Sequence, residues 1–415
     1  MGPKKHNVLY LSYDGMTDPL GQSQVLSYLR LLSKQGFSFD IISFEKPDIY
    51  ASKKQGVQDS LDGFDITWHA LMYTKKPPVL STLKDLRVGW KKIKQLAAHK
   101  QFHIVHSRGY TIGNLAINTK KRYGAKMIFD MRGWWADEKR ESGLWANPVY
   151  RPIYYYFKQL ERQLFALSDQ SISLTHVGGD EIERLALKER HNISIIPTCV
   201  DFNLFPPFNE SVRAAVRDEL NINPDAKVLL YSGSLGGNYD MSMLLGLFKQ
   251  LKSVVPNSVL LILSRIDSGY VENEVSSAGM NMADVRLIGV DLKEVHRYLM
   301  AGDYGVVNYV RSYSTIGRSP TKLGEYWACG LPVIALSGVG DLDYLIARYP
   351  NGGMLIPDNT ESLHAKVVRD VLAKDFDKSE LRQYALDYYD LNKGAATYAS
   401  IYRKVLGIAD LVTEQ

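Results

Sequence analysis

The sequence predicts an α/β protein with two doubly wound parallel sheets, one in each half of the chain. Apolar runs of strand length alternate with segments of helical period almost from end to end, which favours parallel strands covered by helices on both faces. The length of 415 residues exceeds what one hydrophobic core usually organises. The alternation loosens at "ISIIPTCVDFNLFPP" and then restarts. We therefore expect two domains.

The strands and helices follow in order from this alternation. In the first half, "NVLYLSY", "FSFDIISF", "FHIVHS", "AKMIFDM" and "DQSISLT" have the length and composition of buried strands. Helices are predicted between them, over "QSQVLSYLRLLSKQG", 110–122 and 149–167. In the second half the strands are "AKVLLYSG", "SVLLILSR", "DVRLIGV", "DYGVVNYV" and "GGMLIP", with helices over 239–254 and 292–300.

We place the N-terminal domain at 1–205, the second domain at 206–380 and a helical tail at 381–415. The tail carries tyrosines throughout its helical segment. It has two placements in the fold: it caps the second domain, or it packs back on the N-terminal domain.

Composition limits the function classes. The chain is 45% hydrophobic and 23% charged, as in globular proteins, and its net charge of +5 fits a small anion or an anionic membrane surface without arguing for nucleic acid. Cys199 and Cys329 match no metal spacing and indicate a reducing compartment. The N-terminal apolar run is too short for a signal peptide, and no stretch approaches a membrane span. We expect a cytoplasmic protein whose membrane contact is peripheral.

Two glycine-containing loops follow strands, where ligands bind in open α/β sheets. In "DGMTDPLGQSQ", Gly21 and Gln22 stand at a helix start, where the backbone can approach an anion closely. In "YSGSLGGNYD", Gly233 and Ser234 begin a run that can form a nest of backbone N–H groups around a phosphate. A plain turn is the alternative for both loops.

A third candidate is "SPTKLGEYWACGLPVI", 319–334. Ser319 is predicted to cap a short helix with Pro320 at its first position. Lys322 in the first turn opposes the helix dipole unless an anion binds there. The alternative is that Lys322 pairs with Glu325 on the helix surface. Three cations are candidates for converging on this loop edge: Arg265, Arg318 and Lys322.

A fourth candidate comprises His106, Asp130 and Arg132, in "HIVHSRGY" and "IFDMRGWWADE". All three stand where neighbouring parallel strands are predicted to end. A catalytic role and a structural role are both compatible with a histidine at a strand end.

Residues 75–100 hold eight Lys or Arg against one Asp, interleaved with leucine, valine and tryptophan. The pattern is typical of a basic amphipathic helix on an anionic lipid surface, and equally of a solvated helix face.

Taken together and in this order, these segments resemble the family 4 glycosyltransferases, which are retaining enzymes of the GT-B fold, especially bacterial members that build surface polysaccharides. "LSYDGMTDPLGQSQVLSYL", "IFDMRGWWADE", "ISIIPTCVDFNLF", "LLYSGSLGGNYD" and "SPTKLGEYWACGLPVIALSGVGD" carry the resemblance, and the last is the most specific. The resemblance implies two Rossmann-like domains facing a central cleft, the first binding an acceptor and the second a nucleotide sugar.

The resemblance also implies roles for residues. Glu325 would bind the donor ribose, and the donor diphosphate would be held by the residues before and within the first turn of its helix, Arg318, Ser319, Thr321 and Lys322. His106, Asp130 and Arg132 would contact the sugar or the attacking hydroxyl. No metal or other cofactor is implied.

The resemblance leaves the donor as a UDP- or GDP-sugar and the acceptor as a glycan or a polyprenyl-linked lipid. Many relatives carry a glutamate eight residues before the ribose-binding one, where this chain has Gly317. Two other functions therefore stay open: a nucleotide-sugar epimerase of the same fold, and an inactive nucleotide-binding scaffold subunit.

Overall fold

The computed structural model describes residues 5–77 and 79–409 and divides the chain into two compact units. The first unit runs to Pro197 and takes up the chain again from Leu391; the second is Thr198–Asp390. The boundary precedes the predicted one at 205/206 because the intervening segment bonds within the second unit. The Val200 amide donates to the Tyr389 carbonyl at 2.7 Å, for example.

Both units are built on parallel strands, as the alternating pattern predicts. The strands are β1 (His6–Ser12), β2 (Phe37–Glu45), β3 (Ile66–Met72), β4 (Ile104–Arg108), β5 (Lys126–Asp130), β6 (Gln170–Ser173), β7 (Ile193–Ile195), β8 (Val228–Ser232), β9 (Val259–Leu263), β10 (Val285–Ile288), β11 (Tyr304–Val307), β12 (Val333–Leu336) and β13 (Gly353–Ile356).

Helices connect the strands in every crossover. They are α1 (Pro19–Gly21), α2 (Ser27–Ser33), α3 (Pro47–Leu61), α4 (Leu80–Ala97), α5 (Gly113–Tyr123), α6 (Trp135–Glu141), α7 (Arg151–Leu167), α8 (His176–Arg184), α9 (Glu210–Glu219), α10 (Met241–Val254), α11 (Ser268–Ser277), α12 (Val295–Met300), α13 (Thr321–Ala328), α14 (Leu342–Arg348), α15 (Glu361–Leu372), α16 (Lys378–Tyr388) and α17 (Leu391–Leu406).

The first unit contains a seven-stranded sheet in the order β3-β2-β1-β4-β5-β6-β7, with all pairs parallel. The direction of winding reverses between β1 and β4. Register places Ser12 beside Arg108, and Arg108 beside Asp130, so three strands end together at this switch point. Ligands of doubly wound sheets bind at such a point, beyond the carboxyl ends of the strands.

The second unit contains a six-stranded parallel sheet in the order β10-β9-β8-β11-β12-β13. Here the winding reverses between β8 and β11. Both faces of this sheet are covered by apolar clusters, which is why "VLLYS" of β8 and "VLLIL" of β9 are buried at every position. The connection after β11 leads into α13, and the glycine-containing loop follows β8.

The predicted tail at 381–415 is divided between the two units. Helix α16 packs against α13 in the second unit, whereas α17 packs against α2 in the first. Tyr389 is buried in the second unit's core, and Tyr402 is buried against Phe37 of the first. The two placements considered for the tail are therefore both present, in successive helices.

Candidate functional site

Lys322 in the first turn of α13 is the most unusual charged residue of the second unit. Its side chain is buried, with Nζ 3.9 Å from the centre of the Tyr231 ring and 4.6 Å from that of Tyr239. A third ring, that of Tyr309, lies 6.0 Å away. The negative faces of aromatic rings attract a cation, but they supply no hydrogen-bond acceptor of ordinary strength.

Within the described residues, Lys322 Nζ has no hydrogen-bond partner. Burial therefore lowers its pKa to about 7, although the neighbouring Glu325 opposes this effect. Buried charges are normally paired or coordinated, because an isolated one is costly to remove from water. The pairing with Glu325 considered from the sequence is present only as an electrostatic neighbour and forms no hydrogen bond.

Glu325 lies one turn further along α13 and is half-buried. Burial raises its pKa to about 7, and Lys322 works against this rise. The first turn thus presents an ammonium donor and the next turn a carboxylate acceptor. This order suits a ligand with an anionic group followed by hydroxyls.

The loop after β8 passes next to the Lys322 ammonium. Gly233 and Ser234 are exposed, and Gly233 has a φ of 122°, a conformation that favours glycine. A Cβ atom at residue 233 would lie 3.5 Å from Lys322 Nζ. The glycine therefore places no side-chain atom next to the ammonium.

The residues that precede α13 differ in what they contact. The Arg318 guanidinium lies 5.1 Å from the centre of the Tyr309 ring, on the same aromatic cluster as Lys322.

The Ser319 hydroxyl contacts Thr198, accepting a hydrogen bond from the Thr198 amide at 3.1 Å. The predicted cap is shifted by one residue: Pro320 is the N-cap, Thr321 is the first helical residue, and the Ser319 hydroxyl secures the start of the second unit instead.

Arg265 follows the end of β9 and forms a surface ion pair with Asp291. Both side chains are largely exposed. Of the three cations predicted to converge, Lys322 and Arg318 lie against the same tyrosine cluster. Arg265 instead pairs with Asp291.

In the first unit, the structure brings His106, Asp130 and Arg132 together at the switch point. His106 Nε2 lies 3.6 Å from Asp130 Oδ2, and Arg132 NH1 lies 3.8 Å from Asp130 Oδ1. Burial would raise the Asp130 pKa, but Arg132, His106 and Arg108 outweigh it and lower the pKa to about 2. Asp130 is therefore an ionised carboxylate at the centre of the cluster.

Two tyrosines of α17 close this cluster. Tyr398 donates its hydroxyl to Asp130 at 2.9 Å, and the Tyr402 hydroxyl lies 2.8 Å from His106 Nδ1. His106 and Asp130 have no exposed surface, and burial lowers the His106 pKa. Arg132 is the most accessible of the three predicted residues, and its φ of 60° is rare for a residue with a side chain.

Gly21 and Gln22 are used within their own loop. A Cβ at residue 21 would lie 2.2 Å from the Gly15 carbonyl oxygen, so the absence of a side chain permits close packing of the loop on itself. Gln22 donates its side-chain amide to the Met16 carbonyl at 2.6 Å. Both residues therefore stabilise the loop between β1 and α2. Their contact with a ligand stays a prediction.

Sequence reasoning missed Glu45 and Arg108. The buried Glu45 carboxylate accepts from the Met16 amide at 2.7 Å and from the Thr17 amide at 3.0 Å, and so fixes the same loop. Arg108 ends β4, two residues after His106. A charged residue that ends an apolar strand was the available signal in both cases, since strand ends converge in parallel sheets.

The described part of the chain has no group of three or more His, Cys, Asp and Glu side chains placed to hold a metal ion. Cys199 and Cys329 are buried and form no disulfide. None of the described helices has the length and apolarity needed to cross a membrane.

Comparison with known proteins defines the class. The model of Glycosyltransferase Family 4 matches residues 21–204, in the first unit and the start of the second, and that of Glycosyl transferases group 1 matches residues 226–373. The chain belongs to the family 4 glycosyltransferases, as the motifs predicted.

Among curated proteins, a D-inositol 3-phosphate glycosyltransferase from Jonesia denitrificans is 22% identical over 349 residues, which make up 83% of this chain and 77% of the relative. Among solved structures, sucrose-phosphate synthase from Thermosynechococcus elongatus superposes with a TM-score of 0.72 at 16% identity, covering 97% of this chain and 100% of that one. HepE of Anabaena, in complex with UDP-glucose, gives 0.69 at 13% identity, covering 96% and 99%. The predicted GT-B fold class is confirmed.

Proposed function

We propose that this glycosyltransferase transfers a sugar, with retention of anomeric configuration, from a UDP- or GDP-sugar to a hydroxyl of a glycan or a polyprenyl-linked acceptor in polysaccharide or glycoconjugate synthesis. The observation that supports this proposal most directly is the buried Lys322 ammonium, which has no hydrogen-bond acceptor within the described residues and lies one turn before Glu325. The structure of HepE with UDP-glucose supports the choice of donor class.

In this proposal the donor diphosphate lies over the first turn of α13. Lys322 and the backbone N–H groups near Gly233 and Ser234 bind its oxygens, with Arg318 at the edge of the tyrosine cluster. Ser319 and Thr321, which flank the N-cap residue of the helix, complete the proposed diphosphate contacts, and Arg265 would exchange its ion pair with Asp291 for the diphosphate. Glu325 accepts hydrogen bonds from the ribose hydroxyls.

The reaction breaks the bond between the anomeric carbon and the diphosphate oxygen. A bond to the acceptor oxygen forms on the same face of the sugar, and the acceptor's proton passes to the departing phosphate oxygen. Preorganised cations stabilise the charge that develops on the diphosphate. We propose that side chains rather than a resident metal supply this stabilisation, so activity should persist in a chelator.

The predicted catalytic residues take different parts. Arg132, the accessible member, contacts the sugar or the attacking hydroxyl. Asp130 and His106 are positioning residues, because both side chains are enclosed and act through Arg132. Because His106 positions other groups and does not bind substrate itself in this proposal, His106→Gln should lower kcat more than it raises KM.

The test is a thermal-shift titration of the full chain with UDP-, GDP-, ADP- and dTDP-sugars, comparing wild type with Lys322→Met and Glu325→Ala. Sugars linked to one of these four nucleotides should raise the melting temperature of the wild type. Both variants should lose most of this increase. The matched control is Lys293→Met, on the surface of the same unit. No stabilisation of the wild type at millimolar concentration would refute the donor site.

Two competing functions predict different products. An epimerase would isomerise the donor sugar with no acceptor present, and a scaffold subunit carrying Gly317 would bind donor without turnover. Incubation with donor alone, followed by analysis of the sugar, identifies an epimerase. Incubation with donor and acceptor together distinguishes a transferase from a scaffold that does not turn over.

We also propose that the protein is cytoplasmic and docks on the inner face of the cell membrane through α4. Ser81, Asp85, Gly89 and Ile93 form the buried face of this helix. The exposed residues on the rest of the helix combine cations with apolar side chains: Leu80, Leu83, Lys84, Arg87, Val88, Lys91 and Lys94. Anionic lipid complements both the charge and the apolar component of this face.

Flotation with vesicles of phosphatidylglycerol and phosphatidylcholine tests this surface. The wild type should float with anionic vesicles and be released by salt. A Lys84→Glu, Lys91→Glu, Lys94→Glu variant should remain in solution, whereas Lys249→Glu in the second unit should behave as wild type. Absence of lipid binding by the wild type would refute the proposal.

A further inference from the structure

Arg108 is a buried cation whose guanidinium makes no hydrogen bond within the described residues. Its side chain is 5% exposed, and both Nε and NH1 are enclosed without a partner. The carboxylates of Asp130 and Asp14 lie 3.9 Å and 4.0 Å away, beyond hydrogen-bond distance. Buried donors in native proteins are nearly always satisfied, so such a group calls for an explanation.

A second guanidinium accompanies it. Arg132 is 14% exposed and lies on the other side of Asp130, with NH1 3.8 Å from Oδ1. Strand register sets Arg108 beside Asp130, and the left-handed backbone of Arg132 brings that side chain to the same switch point. Two cations thus share one buried carboxylate. The other carboxylate, Asp14, is 59% exposed, so solvent screens its charge.

We propose that the first unit binds an oxyanion, a phosphate or a carboxylate, between Arg108 and Arg132. The guanidinium fork matches both groups, and a paired arrangement of two forks is suited to recognising one such anion at the carboxyl ends of parallel strands. Enclosure strengthens each charge-assisted hydrogen bond relative to one in water.

This inference rests on the proposed function, in which the first unit binds the acceptor, and it specifies that the acceptor carries an oxyanion near the hydroxyl that is glycosylated. The donor's diphosphate is the other source of an oxyanion. The two sources differ in their dependence on Lys322, which belongs to the second unit.

The experiment uses the full chain with Lys322→Met, so that the donor's anion site is weakened. Calorimetric titration with inorganic phosphate, and separately with acetate, should show saturable binding of at least one of them. Adding Arg108→Gln should weaken that binding about tenfold or more, as expected for charge-assisted hydrogen bonds. Asp14→Asn should strengthen it, because it removes a competing carboxylate. Arg122→Gln, an exposed change in the same unit, is the control.

Arg108→Gln alters a buried position, so its thermal unfolding is measured alongside. If it is unfolded, Arg108→Lys and Asp14→Asn, with their opposite expected shifts, carry the test. No saturable binding of either anion to Lys322→Met, or binding unchanged by Arg108→Gln, would overturn the site.

A final titration separates the sources. With Lys322 intact, Arg108→Gln should bind UDP as the wild type does if the oxyanion belongs to the acceptor. A tenfold loss of UDP affinity would assign it to the donor and overturn the acceptor inference. If the wild type binds no nucleotide sugar, the proposed function fails while the result for phosphate or acetate stands on its own.

Discussion

The ammonium group of Lys322 is surrounded by tyrosine rings rather than by carboxylate oxygens. Its pKa of about 7, lowered by burial, means that the group is charged below that pH and neutral above it. A bound diphosphate favours the charged form, so binding above pH 7 requires uptake of a proton.

We therefore expect the affinity for a nucleotide sugar to fall as pH rises through about 7, approaching about tenfold per pH unit. Titration calorimetry between pH 6.5 and 9 in buffers of different ionisation enthalpy would measure both the affinity and the proton uptake. Lys322→Met should bind weakly and should no longer lose affinity as pH rises, because the group that still titrates, Glu325, accepts the ribose hydrogen bonds better when ionised. An unchanged slope in that variant would show that another group controls the pH dependence.

Residue-scale predictions from sequence were most accurate where local rules apply. Lys322 stood out because a cation in a first helical turn is locally unfavourable. Arg108 was missed because its significance depends on the charges of two neighbouring strands. Glu45 was missed because its partners are distant in sequence: they are backbone amides of a loop 28 residues or more away.

At the scale of elements, α17 provides the hydroxyl that donates a hydrogen bond to Asp130 Oδ2. Tyr398→Phe removes this hydrogen bond from a buried carboxylate while preserving the ring's packing against Tyr28. The free energy of unfolding should fall by about 1–3 kcal/mol.

Urea denaturation followed by circular dichroism would measure this loss. The control is Tyr155→Phe, since Tyr155 is 66% exposed and should change stability by less than about 0.5 kcal/mol. Equal stability of the two variants would mean that the Tyr398 hydroxyl is replaced by another donor.

The strongly periodic helices and continuous apolar strands were predicted well, with ends displaced by a few residues. Examples are α5, predicted at 110–122 and found at Gly113–Tyr123, and α10, predicted at 239–254 and found at Met241–Val254. The edge strand β3 went unrecognised because its residues are mostly half-exposed and its pattern is mixed. Hydrophobic periodicity detects burial, and edge strands have less of it.

At the scale of the whole molecule, the first unit is discontinuous in sequence and the second is inserted within it. The second unit has apolar clusters on both faces of its own sheet. A fragment comprising 198–390 should therefore fold alone and be stabilised by the same nucleotide as the full chain.

Fragment 1–197 lacks α17 and should not fold stably, because the apolar surface of α2 and the Asp130 cluster would be uncovered. Thermal unfolding of the two fragments, with the full chain as reference, would test this. A cooperative transition in 1–197 equal to that of the full chain would contradict the expectation.

The fold class was predictable from alternation and length, but the division of the last two helices was not. Both α16 and α17 are amphipathic, aromatic segments, and their sequences do not indicate which apolar surface each one covers. That choice depends on complementary surfaces formed far away in sequence, on α13 and on α2.

The return of α17 to the first unit has a consequence for synthesis on the ribosome. Domains generally fold as units while the nascent chain emerges, starting from the N-terminus. Here the inserted unit is complete before the first one is, because Tyr398 and Tyr402 of the first unit follow it in the chain. The cluster around Asp130 is assembled only after the inserted unit has been synthesised, so a polypeptide released before α17 retains the second unit but lacks the two tyrosines that complete this cluster.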